Sequence, residues 1–153
     1  MEQGKDPRAP RAAIVQHPDV RNMLMTMKAL TEGTRALIYA AAFYADMARH
    51  GPGETRQHYQ DLVDILTPVA KNAGADQGFE AVRLGMQVLG GVGFTEEFPL
   101  AQHLRDTKIA SIYEGTTGIQ ALDLVTRKLR LRGGELFATL LREIGDLQPE
   151  GVQ

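Results

Sequence analysis

The feature that most constrains the fold is a long stretch without proline in which apolar residues recur every three or four positions. It begins at His17-Pro18-Asp19, where proline suits a first helical turn, and it ends at Gly51-Pro52-Gly53. The spacing predicts a helix over 18–50, about 50 Å long at 1.5 Å per residue. A helix of that length needs a partner along its whole length, which indicates a helical bundle. The recurring residues are Val20, Met23, Met27, Leu30, Thr34, Leu37, Ala41, Tyr44 and Ala48.

The rest of the chain also has helical spacing. Pro68 lacks an amide hydrogen and clashes with the preceding turn, so residues 55–89 are predicted to form two nearly coaxial helices, 55–73 and 75–89. Shorter helices are predicted over 99–110, 117–130 and 136–144. No alternating segment with turn chemistry predicts a strand. The expected fold class is all-α, an antiparallel up-down four-helix bundle.

The bundle is expected to occupy residues 17–131. An extended lead-in or linker, 1–16, precedes it, and a short amphipathic helix with a frayed tail, 132–153, follows it.

Composition excludes several classes of protein. The 153 residues suffice for one domain with its own core, and the absence of cysteine rules out disulfides and Cys-based metal sites. A net charge of −2 and 6% aromatic residues argue against a nucleic-acid partner. Charged residues near Met1 interrupt any signal-like segment, and the longest apolar run, 36–43, is too short for a membrane span. We therefore expect a cytoplasmic protein.

Two short segments are candidates for chemistry, and each has two interpretations. Gly90-Gly91-Val92-Gly93 follows a helix, so it is either a helix C-cap or a backbone that a ligand can approach closely. Glu114, in Tyr113-Glu114-Gly115-Thr116, is either a capping carboxylate or a general base over an apolar pocket. No metal site is expected, because the histidines lack ligand spacing; they are His17, His50, His58 and His103.

The segment from Gln87 to Gln120, QVLGGVGFTEEFPLAQHLRDTKIASIYEGTTGIQ, matches an ordered set of motifs. It has Gln, an apolar pair, Gly-Gly, aromatic-Thr, acidic-aromatic-Pro, Arg-Asp-x-Lys and Tyr-Glu-Gly-Thr in that order. This order resembles the C-terminal signature of the acyl-CoA dehydrogenase family, and the likeness continues more weakly over 17–130. The flanking segments resemble a subgroup that includes dehydrogenases of thioether- or longer-chain acyl-CoA substrates.

The resemblance implies an FAD-dependent enzyme of fatty acid metabolism that dehydrogenates an acyl-CoA thioester between its α and β carbons. The family has an N-terminal helical domain and a middle β-domain with no counterpart here, so we expect this chain to be a fragment. Alone it should bind FAD weakly or not at all and be inactive. The implied partners of the parent enzyme are acyl-CoA, an electron-transfer acceptor and further copies of itself, as a dimer or tetramer.

The resemblance also assigns roles to individual residues. Glu114 matches the base that removes the α-proton while hydride passes to flavin N5, and it is expected in a dry pocket. Tyr113 and Gly115 match substrate contacts. The matched flavin contacts are Gln87, Gly90 and Gly91, toward the FAD of a neighbouring subunit, and Thr116.

Two further positions qualify this assignment. Gly118 replaces a side chain that often contacts the flavin in the family. The Arg105-Asp106 pair is interpreted as structural, holding the loop before Tyr113.

Two alternatives belong to other functional classes. One is a DNA-protective homologue on the same fold, which the absence of a basic patch weakens. The other is a non-catalytic helical interaction module. Bound flavin and acyl-CoA would distinguish the enzyme from the module.

Overall fold

A computed structural model describes residues 11–146, and within that range the chain is helical without a strand. Five α-helices form, and the all-α prediction is confirmed. Their bounds are α1 Pro18–His50, α2 Gly53–Leu89, α3 Leu100–Lys108, α4 Thr117–Thr126 and α5 Glu135–Asp146. Short 3₁₀ segments lie at Ile14–Gln16, Gly90–Phe94, Ile109–Ser111 and Lys128–Gly134.

Helix α1 has the predicted bounds, with Pro18 in its first turn and Gly51 as its C-cap. It lies antiparallel to α2. Thr34 Oγ1 donates to Gln77 Oε1 at 2.6 Å near the middle of the pair, and the rings of Tyr44 and Tyr59 stack 5.8 Å apart near the connection. The long first helix therefore has the partner that its length required.

The predicted break at Pro68 is wrong, because α2 continues without interruption from Gly53 to Leu89. A proline inside a helix costs about 3 kcal/mol through one lost hydrogen bond and a steric clash. Pro68 is fully buried, and α2 packs against α1, α3 and α4. Tertiary packing along 37 residues outweighs that local cost, and α1 to α4 form the expected four-helix bundle.

Two glycines of α2 lie where neighbouring helices approach it closely. A Cβ added at Gly78 would lie 3.3 Å from the Thr107 methyl group of α3. One added at Gly85 would lie 3.3 Å from the Met27 Cε of α1 and 3.8 Å from Leu100. At these two positions the absence of a side chain allows close helix packing.

The N-terminal half of α2 binds the C-terminal part of the chain. Asp61 is buried; its carboxylate accepts from Gln57 Nε2 at 2.9 Å and from Arg132 Nε at 2.8 Å. We call these three residues the Asp61 anchor. Lys128 lies 3.5 Å from Asp64, and Leu136 of α5 is buried. The core follows this side of α2 and comprises Leu62, Ile65, Ala75, Leu84 and Leu136.

The segments at the two ends differ from the expectation in detail. The lead-in was expected to be extended, but Ile14–Gln16 form a 3₁₀ turn, and residues 1–10 lie outside the described range, as do residues 147–153 of the tail. Near the expected boundary at 131, the 3₁₀ segment before α5 contains non-helical residues at Leu131, Arg132 and Gly133. No helix within 11–146 is long and apolar enough to cross a membrane.

Candidate active site

The Glu114 loop, residues 112–116, joins the 3₁₀ turn at Ile109–Ser111 to α4. Its backbone is unusual, because Glu114 has φ 55° and Gly115 has φ 88°. Left-handed backbone is ordinary for glycine but uncommon for glutamate, and such residues concentrate at functional sites. Among residues 11–146, Arg132 is the other non-glycine residue with positive φ.

Side-chain donors from two helices hold the carbonyls of this loop. Gln120 Nε2 of α4 donates to Glu114 O at 3.0 Å, and Lys71 Nζ of α2 donates to Gly115 O. Asn72 of α2 makes a longer contact, 3.4 Å, with the carbonyl of Thr117. Consecutive peptide groups are thereby fixed to the bundle. The hydrogen bonds to the carbonyls of residues 114 and 115 maintain the left-handed conformation of Glu114.

Glycine is required at position 115, and threonine suits position 116. A Cβ at Gly115 would lie 2.8 Å from Gln120 Nε2, so a side chain there would both strain the backbone and displace the clamp. Thr116 is the N-cap of α4, and its Oγ1 accepts from Ile119 N at 3.4 Å. Gly118 has no such constraint, because the atom nearest to an added Cβ is 3.9 Å away.

The Glu114 carboxylate is exposed, and no hydrogen bond or ion pair from residues 11–146 engages its oxygens. The described residues therefore do not enclose the dry pocket that was expected around it. Exposed apolar residues surround the carboxylate in sequence: Ile112, Tyr113 and Ile119 are 54%, 52% and 57% exposed. The arrangement provides a proton acceptor on a fixed backbone beside an uncovered apolar surface.

Glu97 provides a contrast to Glu114. A hydrogen bond from the Thr95 hydroxyl, together with a backbone hydrogen bond, lowers the pKa of Glu97. This carboxylate is stabilised in its charged form on the turn after the Gly90–Phe94 segment.

Sequence analysis missed the residues that hold the loop. Arg105 and Asp106 were expected to do so, but both are exposed and neither forms an ion pair within residues 11–146. Lys71, Asn72 and Gln120 hold it instead. One sequence feature could have indicated these loop contacts: two polar residues, Lys71 and Asn72, stand between alanines on a helix face that packs against the bundle.

The predicted flavin contacts at the end of α2 form a separate patch. Gly90 caps the helix with φ 63°, and its N–H donates to Gln87 O, which supports the C-cap interpretation. Gly91 is exposed, has no left-handed φ, and would place a Cβ more than 4 Å from any neighbour. Nothing within residues 11–146 requires glycine at 91, so the second interpretation, close approach of another molecule, also remains open.

The two patches are far apart on one chain. Gly90 follows Lys71 by 19 residues of the same helix, a separation of about 28 Å. The structure therefore brings together Tyr113, Glu114, Gly115 and Thr116, and it separates them from Gln87, Gly90 and Gly91. No cluster of three or more potential metal ligands occurs within the described residues.

The family model for the acyl-CoA dehydrogenase C-terminal domain matches residues 4–129. A 3-methylmercaptopropionyl-CoA dehydrogenase of Ruegeria pomeroyi is 50% identical over 121 residues, which cover 79% of this chain and 21% of that protein. A broad-specificity linear acyl-CoA dehydrogenase of Mycobacterium tuberculosis is 40% identical over 99% of this chain and 25% of its own length.

A butyryl-CoA dehydrogenase of Syntrophomonas wolfei is 39% identical over 92% of this chain and 23% of that protein. The chain thus spans between a fifth and a quarter of the length of these relatives. The match to the domain model covers the bundle, the Glu114 loop and the α2 terminus together. The chain belongs to the acyl-CoA dehydrogenase family, as its C-terminal helical domain.

Proposed function

We propose that this chain contributes the catalytic base, Glu114, to the α,β-dehydrogenation of an acyl-CoA thioester by an FAD-dependent enzyme. The observation that carries the proposal is the Glu114 loop itself. A carboxylate with no partner among the described residues is held in a left-handed conformation by clamps on neighbouring carbonyls. Strained backbone that surrounding contacts maintain is typical of active sites.

The proton chemistry needs a base at a fixed distance from one carbon. Glu114 would take the α-proton from the thioester, and the electrons of that C–H bond would form the new double bond to the β-carbon. The basicity of a carboxylate rises when water is excluded around it. Bound substrate, together with protein that covers the exposed apolar surface at Ile112 and Tyr113, would exclude that water.

FAD, when bound, supplies the oxidation by accepting the β-hydrogen as hydride. The residues present fit such a cofactor in two places. The open backbone at Gly90 and Gly91 suits close approach of a pyrophosphate or adenosine group, and Gln87 is exposed beside it. Thr116 lies at the N-terminus of α4, where free backbone N–H groups favour an anion.

The distance between these patches supports an oligomeric enzyme. Lys71, which contacts the Glu114 loop, and Gly90 lie about 28 Å apart along α2, so the two patches are suited to contact different parts of the assembly, Thr116 at the chain's own site and Gln87 at a neighbour's. The substrate class follows from the relatives' names, which specify acyl-CoA thioesters. We propose a homo-oligomer that acts on a substrate of that class.

A chimeric enzyme tests the proposal. This chain would replace the matching segment of the Ruegeria pomeroyi relative, which is 50% identical over 121 residues. Glu114→Gln keeps the shape of the side chain but cannot accept the proton. We expect flavin content to be unchanged and anaerobic flavin reduction by acyl-CoA to slow by about 10²–10⁴-fold.

Glu97→Gln is the matched control, because Glu97 is another exposed glutamate of the same domain. It should leave the rate within about twofold, since surface substitutions away from special features have small effects. Reduction at the unchanged rate in the Glu114→Gln chimera would place the base elsewhere. A chimera that binds flavin but does not oxidise acyl-CoA would favour the non-catalytic module.

A further inference from the structure

We propose that Lys71 is a positioning residue that holds Glu114 in its catalytic orientation through the carbonyl of Gly115. The proposal rests on the function assigned to Glu114. It concerns a residue of α2 that lies 43 positions before the base in sequence and outside the motif that identifies the family.

Lys71 contacts the Glu114 loop directly. Lys71 Nζ donates to Gly115 O, the carbonyl immediately after Glu114. Gln120 Nε2 holds the preceding carbonyl, that of Glu114, at 3.0 Å. The two donors come from different helices, so the peptide group 114–115 is held by α4 and the next one, 115–116, is held by α2.

Lys71 has no competing carboxylate partner among the described residues. Of the other lysines in that range, Lys28 pairs with Glu32 and Lys128 with Asp64, and Lys108 lies over the ring of Phe79. No carboxylate within 11–146 lies within 4.0 Å of the half-buried Lys71 ammonium. A lysine that loses solvent ordinarily takes a counter-charge. Lys71 instead directs a charge-assisted hydrogen bond at a loop carbonyl.

The backbone of Glu114 is strained. Glutamate at φ 55° persists only while its surroundings determine the conformation. Without the Lys71 contact, one of the two carbonyl clamps is lost, and Glu114 can relax toward ordinary backbone angles. Such a change moves the carboxylate by an ångström or more. Misplacement by about 1 Å can cost about 10²-fold in rate.

The first experiment measures the loop in the full 153-residue chain. Lys71→Met keeps the apolar stem but removes the donor, and Lys71→Arg keeps a donor. We expect amide hydrogen exchange at Tyr113, Ile119 and Gln120 to become about tenfold faster in Lys71→Met. Lys71→Arg should restore most of the protection. Lys128→Met, which removes a half-buried lysine that binds a different part of α2, should leave these amides unchanged.

The second experiment measures catalysis in the chimeric enzyme. Lys71→Met should lower kcat by about 10–100-fold with KM and flavin content nearly unchanged, since positioning acts on the chemical step. Lys71→Arg should recover most of the loss. A residue that served folding alone would lower the amount of folded enzyme and would not change kcat per bound flavin.

The outcomes separate this inference from the function on which it rests. Unchanged exchange at the loop in Lys71→Met would overturn the anchoring role, whatever the kinetics. Faster exchange with unchanged kcat, in a chimera that Glu114→Gln inactivates, would overturn positioning and leave the base in place. If Glu114→Gln itself has no effect, the proposed function fails, and there is no base for Lys71 to position.

Discussion

The domain has two flanks that differ in how much of their apolar surface this chain buries. The N-terminal flank, which is buried, is the N-terminal half of α2 with α5, and the exposed flank is the Glu114 loop with α4. On the N-terminal flank, the Asp61 anchor is buried, Leu62 and Ile65 are 3% and 1% exposed, and α5 covers that side through Leu136. Around the Glu114 loop, α4 presents a row of apolar side chains to the outside. We call this row the α4 face: Ile119, Leu122 and Val125, which are 57%, 59% and 58% exposed.

The difference shows which part of the molecule is a folding core and which is a contact surface. Residues at i, i+3 and i+6 share one face of a helix, so the α4 face is continuous, and it adjoins the candidate base. Large exposed apolar patches on soluble proteins mark interaction sites. The buried flank should therefore determine stability, and the exposed flank should determine association and catalysis.

The largest expected effect is on the free energy of unfolding. Ile65→Ala should lower it by about 2–5 kcal/mol, because a fully buried methyl-rich side chain leaves a cavity. Ile119→Ala, the same change on the α4 face, should alter it by about 0.5 kcal/mol or less. Urea denaturation of both variants measures the contrast. Equal losses of unfolding free energy in the two variants would show that the flanks contribute equally to stability.

The second prediction concerns the Asp61 anchor. Asp61→Asn should lower the free energy of unfolding by about 1–3 kcal/mol, because the buried acceptor loses the negative charge that pairs with Arg132. Asp123→Asn breaks an i,i+4 pair with Arg127 on α4 and should cost about 0.5 kcal/mol or less. Thermal unfolding of the two variants in the same buffer tests this ranking, which a greater loss in Asp123→Asn would reverse.

The third prediction concerns association. Leu122→Ser should weaken self-association of the chain about tenfold, because one leucine of an exposed apolar face no longer loses water on contact. Ala121→Ser changes an exposed neighbour that lies off this face and should have little effect. Sedimentation equilibrium gives both constants. A wild-type chain that is monomeric at high concentration would contradict the expectation.

The smallest expected effect is a pH dependence from a pair that belongs to neither flank. A hydrogen bond from Arg83 lowers the pKa of Glu80. Since the folded pKa lies below the unfolded one, the pair stabilises the fold above the ordinary glutamate pKa. That stabilisation disappears as the pH falls through the lowered value. Both side chains are exposed, so the effect should be slight and weaken with salt.

An NMR titration of the Glu80 carboxyl carbon measures this shift. In Arg83→Gln the pKa of Glu80 should return to the ordinary range. A titration curve that does not change in this variant would show that the shift has another cause.

Local patterns predicted the helices well where local signals agree. The bounds of α1 were predicted to the residue, because Pro18 and Gly51-Pro52 coincide with the ends of an unbroken apolar period. The continuity of α2 could not be predicted in this way. The cost of Pro68 is local and visible in sequence, whereas the packing that outweighs it comes from residues distant along the chain.

The candidate site also has residues that a local motif could predict and residues that it could not. Glu114, Gly115 and Thr116 were identified because they lie together in a short motif, although their φ angles and exposure were not predictable from it. Lys71 and Gln120 could not be assigned as clamps. The contact of Lys71 depends on where the Glu114 loop crosses α2, and no periodicity encodes a contact between residues 44 positions apart. Gln120 is only six positions from Glu114, but its contact depends on the loop turning back toward α4.

The continuity of α2 also limits which insertions and deletions the domain can accept. Each residue advances a helix by about 1.5 Å and rotates it by about 100°. A single insertion between Lys71 and Gln87 would therefore turn the Gly90 patch to a different face of the bundle relative to the Glu114 loop. An insertion of seven residues would nearly restore the face but lengthen the span by about 10 Å. Length variation among homologues should accordingly fall in the connections between helices rather than within this part of α2.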